Sequence, residues 1–215
     1  MQILLCAATP FEIKPTMDVI NAQSYKNVEV LITGVGLTAA TYHITKAVHQ
    51  KKPDFILQAG VAGSLDINLP LANIVLIKDE IIGDSGVMEG SSFHSLFDLN
   101  LAERNMHPWK IAKLSNSNNV LLDFDLPIVN GVTVNEVSTN TERIRYYREN
   151  LNAQTETLEG AALHFVGLME GLNFLQIRTV LNYIGERDKA KWQMQQAIEN
   201  LNKELQKIIL KLVDQ

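Results

Sequence analysis

Cysteine is nearly absent from this chain of 215 residues, which contains only Cys6. A disulfide within the chain is therefore excluded, and a reducing compartment, the cytoplasm, is the expected location. Cys6 lies in the apolar run of residues 1–8, where we expect a small buried side chain. The run is short and lacks the basic residues of a signal peptide, so it is typical of a buried first strand.

Positive charge is also scarce. Lysine and arginine number 19 against 24 acidic residues, which gives a formal charge of −5 and an isoelectric point of about 5.5. A chain of this charge has no general attraction for nucleic acids or anionic lipids. No apolar run reaches about 18 residues, the length that crosses a bilayer. We therefore expect neither a nucleic-acid partner nor a membrane partner.

Motifs for several common chemistries are missing. The chain has no Gly-x-Ser-x-Gly elbow of a serine hydrolase. Its glycine turns at 34–36 and 60–63 lack the third glycine of a dinucleotide site and the lysine of a phosphate-binding loop. The histidines do not have the spacing of metal ligands. We therefore expect no metal and no organic cofactor.

Apolar residues make up 46% of the chain, which is enough for one large core. Short apolar segments alternate with amphipathic ones, and this alternation predicts a single α/β domain over residues 1–215. We expect three αβα layers, with a mixed central sheet between helices. Strands are predicted at residues 2–8, 28–33, 54–59, 74–78, 127–134 and 173–181, and helices at 38–51, 139–150, 158–171 and 188–213.

Three segments do not follow the alternation. Residues 83–94 are rich in glycine and irregular, as in a functional lid or a partner surface. The polar residues 115–119 predict a surface turn. Residues 96–111 have a mixed pattern that assigns them to no element.

The segment Glu-Thr-Leu-Glu-Gly-Ala-Ala at 156–162 places Glu159 where a strand passes into a helix. A carboxylate at that point lies near free N–H groups and the positive end of the helix dipole, so we expect it to be ionised. An ionised carboxylate can accept hydrogen bonds from two vicinal hydroxyls of a sugar. The alternative is that Glu159 only caps its helix.

Three other residues are candidates for chemistry. Glu12 follows the first strand and Asn182 ends the last one, so both fall near the edge where open α/β sheets bind small molecules. Alternatively, Glu12 is merely solvated. Arg178 lies within the last strand, and a buried arginine there needs a carboxylate partner, so a structural ion pair is an equal alternative.

Six blocks of sequence occur in a familiar order: Ala-Ala-Thr-Pro-Phe-Glu at 7–12, Gly-Val-Gly at 34–36, Gln-Ala-Gly-Val-Ala-Gly-Ser at 58–64, Gly-Val-Thr-Val-Asn at 131–135, the segment 156–162, and Gln-Ile-Arg-Thr-Val-Leu-Asn at 176–182. In these blocks the chain resembles the nucleoside phosphorylase and nucleosidase superfamily nearly end to end. Within it, the chain is most similar to the futalosine hydrolases of menaquinone biosynthesis. The resemblance implies hydrolysis of the N-glycosidic bond of futalosine, which releases hypoxanthine and dehypoxanthine futalosine.

The resemblance also implies residue roles. Glu12 corresponds to the carboxylate that activates the attacking water. Glu159 corresponds to the carboxylate that binds the ribose hydroxyls, and Leu158 stands where relatives often have methionine. Asn182 corresponds to the residue that faces the purine N7. The remaining residues implied beside the base and sugar are Ala62, Gly63, Val134, Asn135 and Arg178.

Asn182 and the arginines bear on the substrate and the nucleophile. Adenosine-directed relatives have an aspartic acid at the position of Asn182, which protonates N7. Asparagine cannot deliver a proton but can donate a hydrogen bond, which suits a 6-oxopurine such as hypoxanthine; Asp188 or water could then supply the proton. Phosphorylases of the superfamily clamp phosphate with arginines from the first half of the chain, where this chain has almost none. We therefore expect water as the nucleophile.

Other functions remain open at this point. The chain could act on methylthioadenosine, S-adenosylhomocysteine or aminodeoxyfutalosine, could be a phosphorylase, or could bind nucleosides without catalysis. The resemblance implies a small-molecule purine nucleoside as the ligand. It also implies a homo-oligomer, a dimer or a tetramer, in which the loop 83–93 contributes to a neighbour's site.

Overall fold

The computed structural model describes residues 1–23, 25–90 and 92–213. These residues form one eight-stranded mixed sheet and a separate two-stranded sheet, together with five α-helices. The predicted α/β class and the mixed sheet flanked by helices are confirmed.

The strands are β1 Ile3–Ala7, β2 Val28–Ile32, β3 Phe55–Ser64, β4 Ile74–Ile82, β5 Gly86–Glu89, β6 Ser92–Ser95, β7 Leu114–Ser115, β8 Ile128–Thr133, β9 Thr155–Thr157 and β10 Asn173–Tyr183. The helices are α1 Pro10–Gln23, α2 Leu37–Lys51, α3 Thr141–Glu149, α4 Gly160–Met169 and α5 Met194–Val213. Short 3-10 helices lie at Asn119–Asp123 and Lys189–Lys191.

The side chains of the central strands alternate between the two faces of the sheet, and each face packs against helices. In β1, Leu5 and its neighbours two residues away face a core formed with α5, whereas Leu4 and Cys6 face a second core with α2 and α4. Successive side chains of a strand point to opposite faces, so both faces of this strand are apolar and buried. Cys6 is buried as expected, and burial raises the pKa of its thiol.

Part of the sheet closes on itself. Strand β3 pairs with β1 through its first residues and with β9 through Gly63 and Ser64, while β10 runs along its other edge. Since β10 also pairs with β4, the strands β3, β10, β4, β8 and β9 form a ring of pairings. Strands β1 and β2 extend from this ring beside β3. The ring brings the carboxyl ends of β3 and β10 and the start of α4 together.

Several predicted elements differ from the structure. Helix α1 was not predicted, because Pro10 and Pro15 interrupt the helical pattern; Pro10 occupies the first helical position, where proline is tolerated. Residues 86–89 and 92–95 pair as the antiparallel strands β5 and β6 and are not irregular. The strands β3, β4 and β10 continue beyond their predicted ends, and α5 begins at Met194 and not at residue 188.

The polar stretch 115–119 is more than a surface turn. Asn116 is buried, and its Nδ2 donates a hydrogen bond to the Phe174 main-chain oxygen at 2.8 Å. Asn118 caps the 3-10 helix that follows by accepting from Val120 N at 2.9 Å. The stretch therefore contributes a buried contact to the sheet.

Candidate active site

Glu12 lies in the first turn of α1 and is held on both carboxylate oxygens. Oε1 accepts a hydrogen bond from Val61 N at 3.0 Å, and Oε2 accepts from Thr9 N and Thr9 Oγ1 at 3.1 and 3.2 Å. Only 8% of the residue is exposed, so the interpretation of Glu12 as a solvated residue is wrong. Each carboxylate oxygen can accept two hydrogen bonds, which leaves Oε1 able to accept one more.

Glu159 lies between β9 and α4, as the sequence predicts, and is 7% exposed. Its side chain makes no capping bond to its own helix. Instead, Oε1 accepts from Gly36 N at 2.9 Å, and Gly36 has a φ of 95°, a conformation that favours glycine. Burial raises the pKa of Glu159, while the charge of Arg178 and the Gly36 N–H lower it in part. The capping interpretation is therefore wrong, and burial outweighs the groups that favour the ionised form.

The N–H groups at the start of α4 bind hydroxyls of neighbouring strands. Gly160 N donates to Thr157 Oγ1 at 3.1 Å, and Ala161 N donates to Thr133 Oγ1 at 2.8 Å. The strands β8 and β9 thus supply the acceptors that helix starts require. This arrangement leaves the Glu159 carboxylate free for a ligand.

Arg178 lies beneath the two carboxylates and is 1% exposed. Its Nη2 donates to Gln58 Oε1 at 2.8 Å, and Gln58 Nε2 donates to the Glu159 main-chain oxygen at 3.4 Å. A Cβ added to Gly60 would overlap both the Arg178 guanidinium and the Glu12 carboxylate, so both groups lie against this glycine. The partner of Arg178 within the described part of the chain is an amide and not the expected carboxylate.

Glu80 was missed by the sequence analysis. It lies in β4, is fully buried, and accepts from Gln176 Nε2 at 2.9 Å and from Thr133 Oγ1 at 3.0 Å. Burial raises its pKa to about 7, against opposing effects of Gln176, Arg178 and Thr133 and with a further increase from the charge of Glu159. The only signal in the sequence was the pair Ile81-Ile82 after the charged residues 78–80, which indicates that the strand continues past residue 78 and includes Glu80.

Asn182 lies at a bulge of β10, where the pairing with β3 shifts between Val180 and Asn182. Bulges beside active sites change the direction of a side chain. The Asn182 Nδ2 donates to the main-chain oxygens of Tyr183 and Glu186 at 2.9 and 3.5 Å. The Oδ1 atom faces Gly63. Among the described residues, Asn182 Oδ1 has no hydrogen-bond partner, so the oxygen, and not the expected N–H group, is the free end of this amide.

Of the remaining predicted site residues, four lie beside Asn182 or in the adjacent apolar cluster, and Asn135 is exposed. Ala62 and Gly63 end β3 beside Asn182, and Leu158 and Val134 pack in the apolar cluster next to them. Asn135 is exposed, and its main-chain N and side-chain Nδ2 donate to the Asp84 carboxylate at 2.6 and 3.1 Å.

A cavity of about 500 Å³ lies between Asn135 and the start of α2 at Gly36, with Tyr42 on its wall. Gly36, which lines this cavity, also donates a hydrogen bond to Glu159. A second cavity of about 340 Å³ lies beside Lys203 and Lys207, away from every predicted site residue.

The family model described as the phosphorylase superfamily matches residues 7–214. The chain belongs to the phosphorylase superfamily. The chain is similar to the futalosine hydrolase of Thermus thermophilus, with 25% identity over 185 residues, which cover 83% of this chain and 80% of that protein.

Solved structures have the same fold. A futalosine hydrolase mutant of Helicobacter pylori has a TM-score of 0.80 at 16% identity and covers 98% of this chain and 100% of its own. The 5′-methylthioadenosine/S-adenosylhomocysteine nucleosidase of Neisseria meningitidis, solved with methylthio-immucillin-A, has a TM-score of 0.78 at 14% identity and covers 97% and 98%. At these identities the structures establish the superfamily fold of this chain.

Two kinds of feature are absent from the described residues. In residues 1–23, 25–90 and 92–213, no group of three or more His, Cys, Asp and Glu side chains has the geometry to hold a metal ion. No α-helix of this part of the chain is long and apolar enough to span a membrane.

Proposed function

We propose that this protein hydrolyses the N-glycosidic bond of futalosine and releases hypoxanthine and dehypoxanthine futalosine, a step of menaquinone biosynthesis. The observation that carries the proposal is the pair of buried carboxylates, Glu12 and Glu159, each fixed by a main-chain N–H group of a glycine-containing segment, Val61 N for Glu12 and Gly36 N for Glu159. The similarity to a futalosine hydrolase over four-fifths of both chains supports the choice of substrate.

The carboxylates have different tasks in this proposal. Cleavage of an N-glycosidic bond builds positive charge on the ribose as the bond to the base breaks. Glu159 binds the ribose hydroxyls and stabilises that charge more in the transition state than in the ground state. Glu12 uses the free lone pair of Oε1 to orient a water and to take its proton, a contribution of roughly 10²–10⁴-fold. The water oxygen bonds to the anomeric carbon, and the electrons of the broken bond leave with the base.

Asn182 can assist the departure of the base through its oxygen, and the choice of hypoxanthine over adenine rests on the similarity to futalosine hydrolase. The departing base must gain a proton, which we assign to solvent because Asp188 is exposed and accepts a hydrogen bond from Ala190 N at 3.0 Å. A hypoxanthine protonated on N7 presents an N–H group, and the free Asn182 Oδ1 can accept a hydrogen bond from it. Asn182 is therefore an acceptor for the leaving base and not its acid. Leu158 is proposed to lie beside the ribose with Glu159, and the other base-side contacts are proposed for Ala62, Gly63, Val134, Asn135 and Arg178.

The first test is product chromatography with futalosine, aminodeoxyfutalosine, methylthioadenosine and inosine. Hypoxanthine released from futalosine alone is the expected result. Adenine released from the methylthioadenosine or aminodeoxyfutalosine samples would instead support another purine nucleosidase. No base from any of the four would overturn the proposal and favour a protein that binds nucleosides without catalysis.

Two substitutions test the assigned roles. Glu12→Gln keeps the size of the side chain and removes the base, so turnover should fall by roughly 10³-fold or more while ligand binding remains. Glu159→Ala should reduce kcat/KM by a similar factor, because it removes the group that stabilises the ribose cation. Steady-state kinetics and calorimetric binding of hypoxanthine would measure both. Full activity of Glu12→Gln would remove Glu12 as the base.

We also propose a homo-oligomer, a dimer or a tetramer, that contacts its copies through the hairpin of β5 and β6. All four residues of β5 are exposed, and they include the apolar side chains Val87 and Met88. Adjacent exposed apolar side chains on a projecting hairpin are typical of a protein contact.

A further inference from the structure

Helix α1 contains a proline one turn after the proposed catalytic base. Pro15 has no N–H group, and its ring crowds the carbonyl group four residues earlier, so it opens the helix at that point. The next main-chain hydrogen bond of a regular α-helix would join Thr16 N to the Glu12 main-chain oxygen. In the structure Thr16 N donates to Asn202 Oδ1 at 3.0 Å, and Asn202 Nδ2 donates to the Glu12 main-chain oxygen at 2.9 Å. The Asn202 side-chain amide of α5 is thus inserted between Thr16 N and the Glu12 main-chain oxygen.

The Asn202 amide uses its full hydrogen-bonding capacity at this position. Its Oδ1 also accepts from Thr16 Oγ1 at 2.7 Å, and its Nδ2 also donates to the Ile198 oxygen of its own helix at 2.8 Å. An asparagine amide has two N–H donors and two acceptor lone pairs, and all four are occupied. Both Asn202 and Thr16 are buried, so a loss of these bonds would not be repaired by solvent.

We propose that Asn202 is a positioning residue that fixes Glu12 for catalysis. This inference rests on the proposed function, in which Glu12 takes the proton of water. The carboxylate end of Glu12 is held by Val61 and Thr9, and its main chain is held by Asn202. Without the inserted amide, the first turn of α1 is free to move at Pro15 and carries the carboxylate with it. A displacement of about 1 Å in such a group reduces a rate by roughly 10²-fold.

The main test compares Asn202→Asp with Asn202→Ala and with the matched control Asn200→Ala on the same helix. Asp keeps an acceptor for Thr16 but removes the donor to Glu12, and Ala removes both. Asn200 binds the Ala72 oxygen at 2.9 Å and is distant from Glu12, so Asn200→Ala should keep the parent kcat. Both Asn202 variants should lower kcat by about 10- to 100-fold, with a change in KM of less than about threefold, because Glu159 still binds the ribose.

A double substitution separates positioning from general damage. In a Glu12→Gln background, Asn202→Asp should cause no further loss of the residual rate, because its effect acts through the Glu12 carboxylate. A loss of the same factor in both backgrounds would overturn the inference. It would show that Asn202 only stabilises the packing of α5 on α1.

A measurement without substrate keeps the inference testable if the proposed function fails. The amide proton of Val61 is bonded to Glu12 Oε1, so its NMR chemical shift reports the position of that carboxylate. Asn202→Asp and Asn202→Ala should move this signal towards its position in Glu12→Gln, and Asn200→Ala should not. An unchanged Val61 signal in both Asn202 variants would overturn the inference. Failure of wild-type protein to release any base would instead contradict only the proposed function.

Discussion

Glu80 is a carboxyl group whose protonation is coupled to folding. It is fully buried, and its nearest polar groups are two donors, Gln176 Nε2 and Thr133 Oγ1. Burial raises its pKa from the ordinary 4.5 to about 7. A protonated Glu80 also needs an acceptor, and Gln176 Oε1 has no hydrogen-bond partner among the described residues. Rotation of the Gln176 amide would supply that acceptor.

The raised pKa of Glu80 makes stability depend on pH in a defined direction. Between pH 4.5 and 7 the folded state keeps a proton that the unfolded state has released, so stability falls as pH rises through this interval. Glu80→Gln mimics the protonated form and should remove the loss, a gain of roughly 3 kcal/mol in the free energy of unfolding at pH 8. At pH 4 the variant should match the wild type or be less stable.

Urea denaturation of wild type and Glu80→Gln between pH 4 and 8 measures the difference. A free-energy difference that does not change with pH would show that folding does not shift the pKa of Glu80. The residue escaped prediction because strand patterns report which positions are apolar, and they do not report which polar atoms a buried position meets.

At the scale of elements, the start of α4 is capped by strands and not by its own N-cap residue. Thr157 and Thr133 accept the first N–H groups of the helix, while Glu159 at the N-cap position binds Gly36. A helix start needs acceptors for its free N–H groups, and an active site needs a free carboxylate there. The two strand hydroxyls allow the same turn to meet both requirements.

Thr157→Val tests this division of roles. It keeps the shape of the side chain but removes the acceptor of Gly160 N, which should lower the free energy of unfolding by about 1–2 kcal/mol. The altered helix start should also raise KM, because Glu159 is the adjacent residue. The matched control is Asn140→Ala, since Asn140 caps α3 by accepting from Glu142 N and Arg143 N.

Asn140→Ala should lose about 1 kcal/mol and keep the parent KM. Thermal or chemical denaturation and steady-state kinetics give the two quantities. An equal rise in KM in both variants would mean that any loss of stability impairs the site, and that the Thr157 hydroxyl has no particular role in holding Glu159.

The elements that sequence predicted and those it missed differ in their local signals. Helix α5 was predicted over its whole length, although with a start before Met194, because its apolar residues recur at helical spacing and form a buried face. Helix α1 was missed because Pro10 and Pro15 obscure the helical pattern. In the structure, the Asn202 side chain of α5 binds both Thr16 N and the Glu12 main-chain oxygen. Strands of two or three residues, such as β7 and β9, are too short for periodicity to identify.

At the scale of the whole molecule, ring closure of the sheet brings the site together. Glu12, Glu159 and Arg178 are far apart in sequence. Glu159 follows the end of β9 and Arg178 lies within β10, and both strands belong to the ring. Because Glu12 follows the first strand and Asn182 ends the last one, the sequence predicted that both residues lie at the same edge of the sheet. The amide partner of Arg178 and the burial of Glu80 depend on pairings between distant strands, which local patterns do not contain.

The distribution of arginines over the molecule predicts that phosphate does not take part in the reaction. Arginine is the side chain best suited to bind phosphate through two parallel hydrogen bonds. Only Arg178 lies at the candidate site, and it is buried and bonded to Gln58. The other five are engaged elsewhere: Arg104 with Asp98, Arg143 with Tyr147, Arg145 and Arg148 with Glu149, and Arg187 over Trp192.

Release of hypoxanthine should therefore have the same rate in phosphate-free buffer and in saturating phosphate. In isotopically labelled water, the label should appear in the hydroxyl group on the anomeric carbon of the sugar product, as mass spectrometry would show. Arsenate serves as the control, because it replaces phosphate in phosphorolysis and should also have no effect. A rate that rises with phosphate, together with a phosphorylated sugar, would contradict hydrolysis. In that case Arg178 and the main-chain N–H groups of the turn at 34–36 would be the first residues to examine, since Gly36 N binds Glu159 and the Arg178 guanidinium lies against Gly60 together with the Glu12 carboxylate.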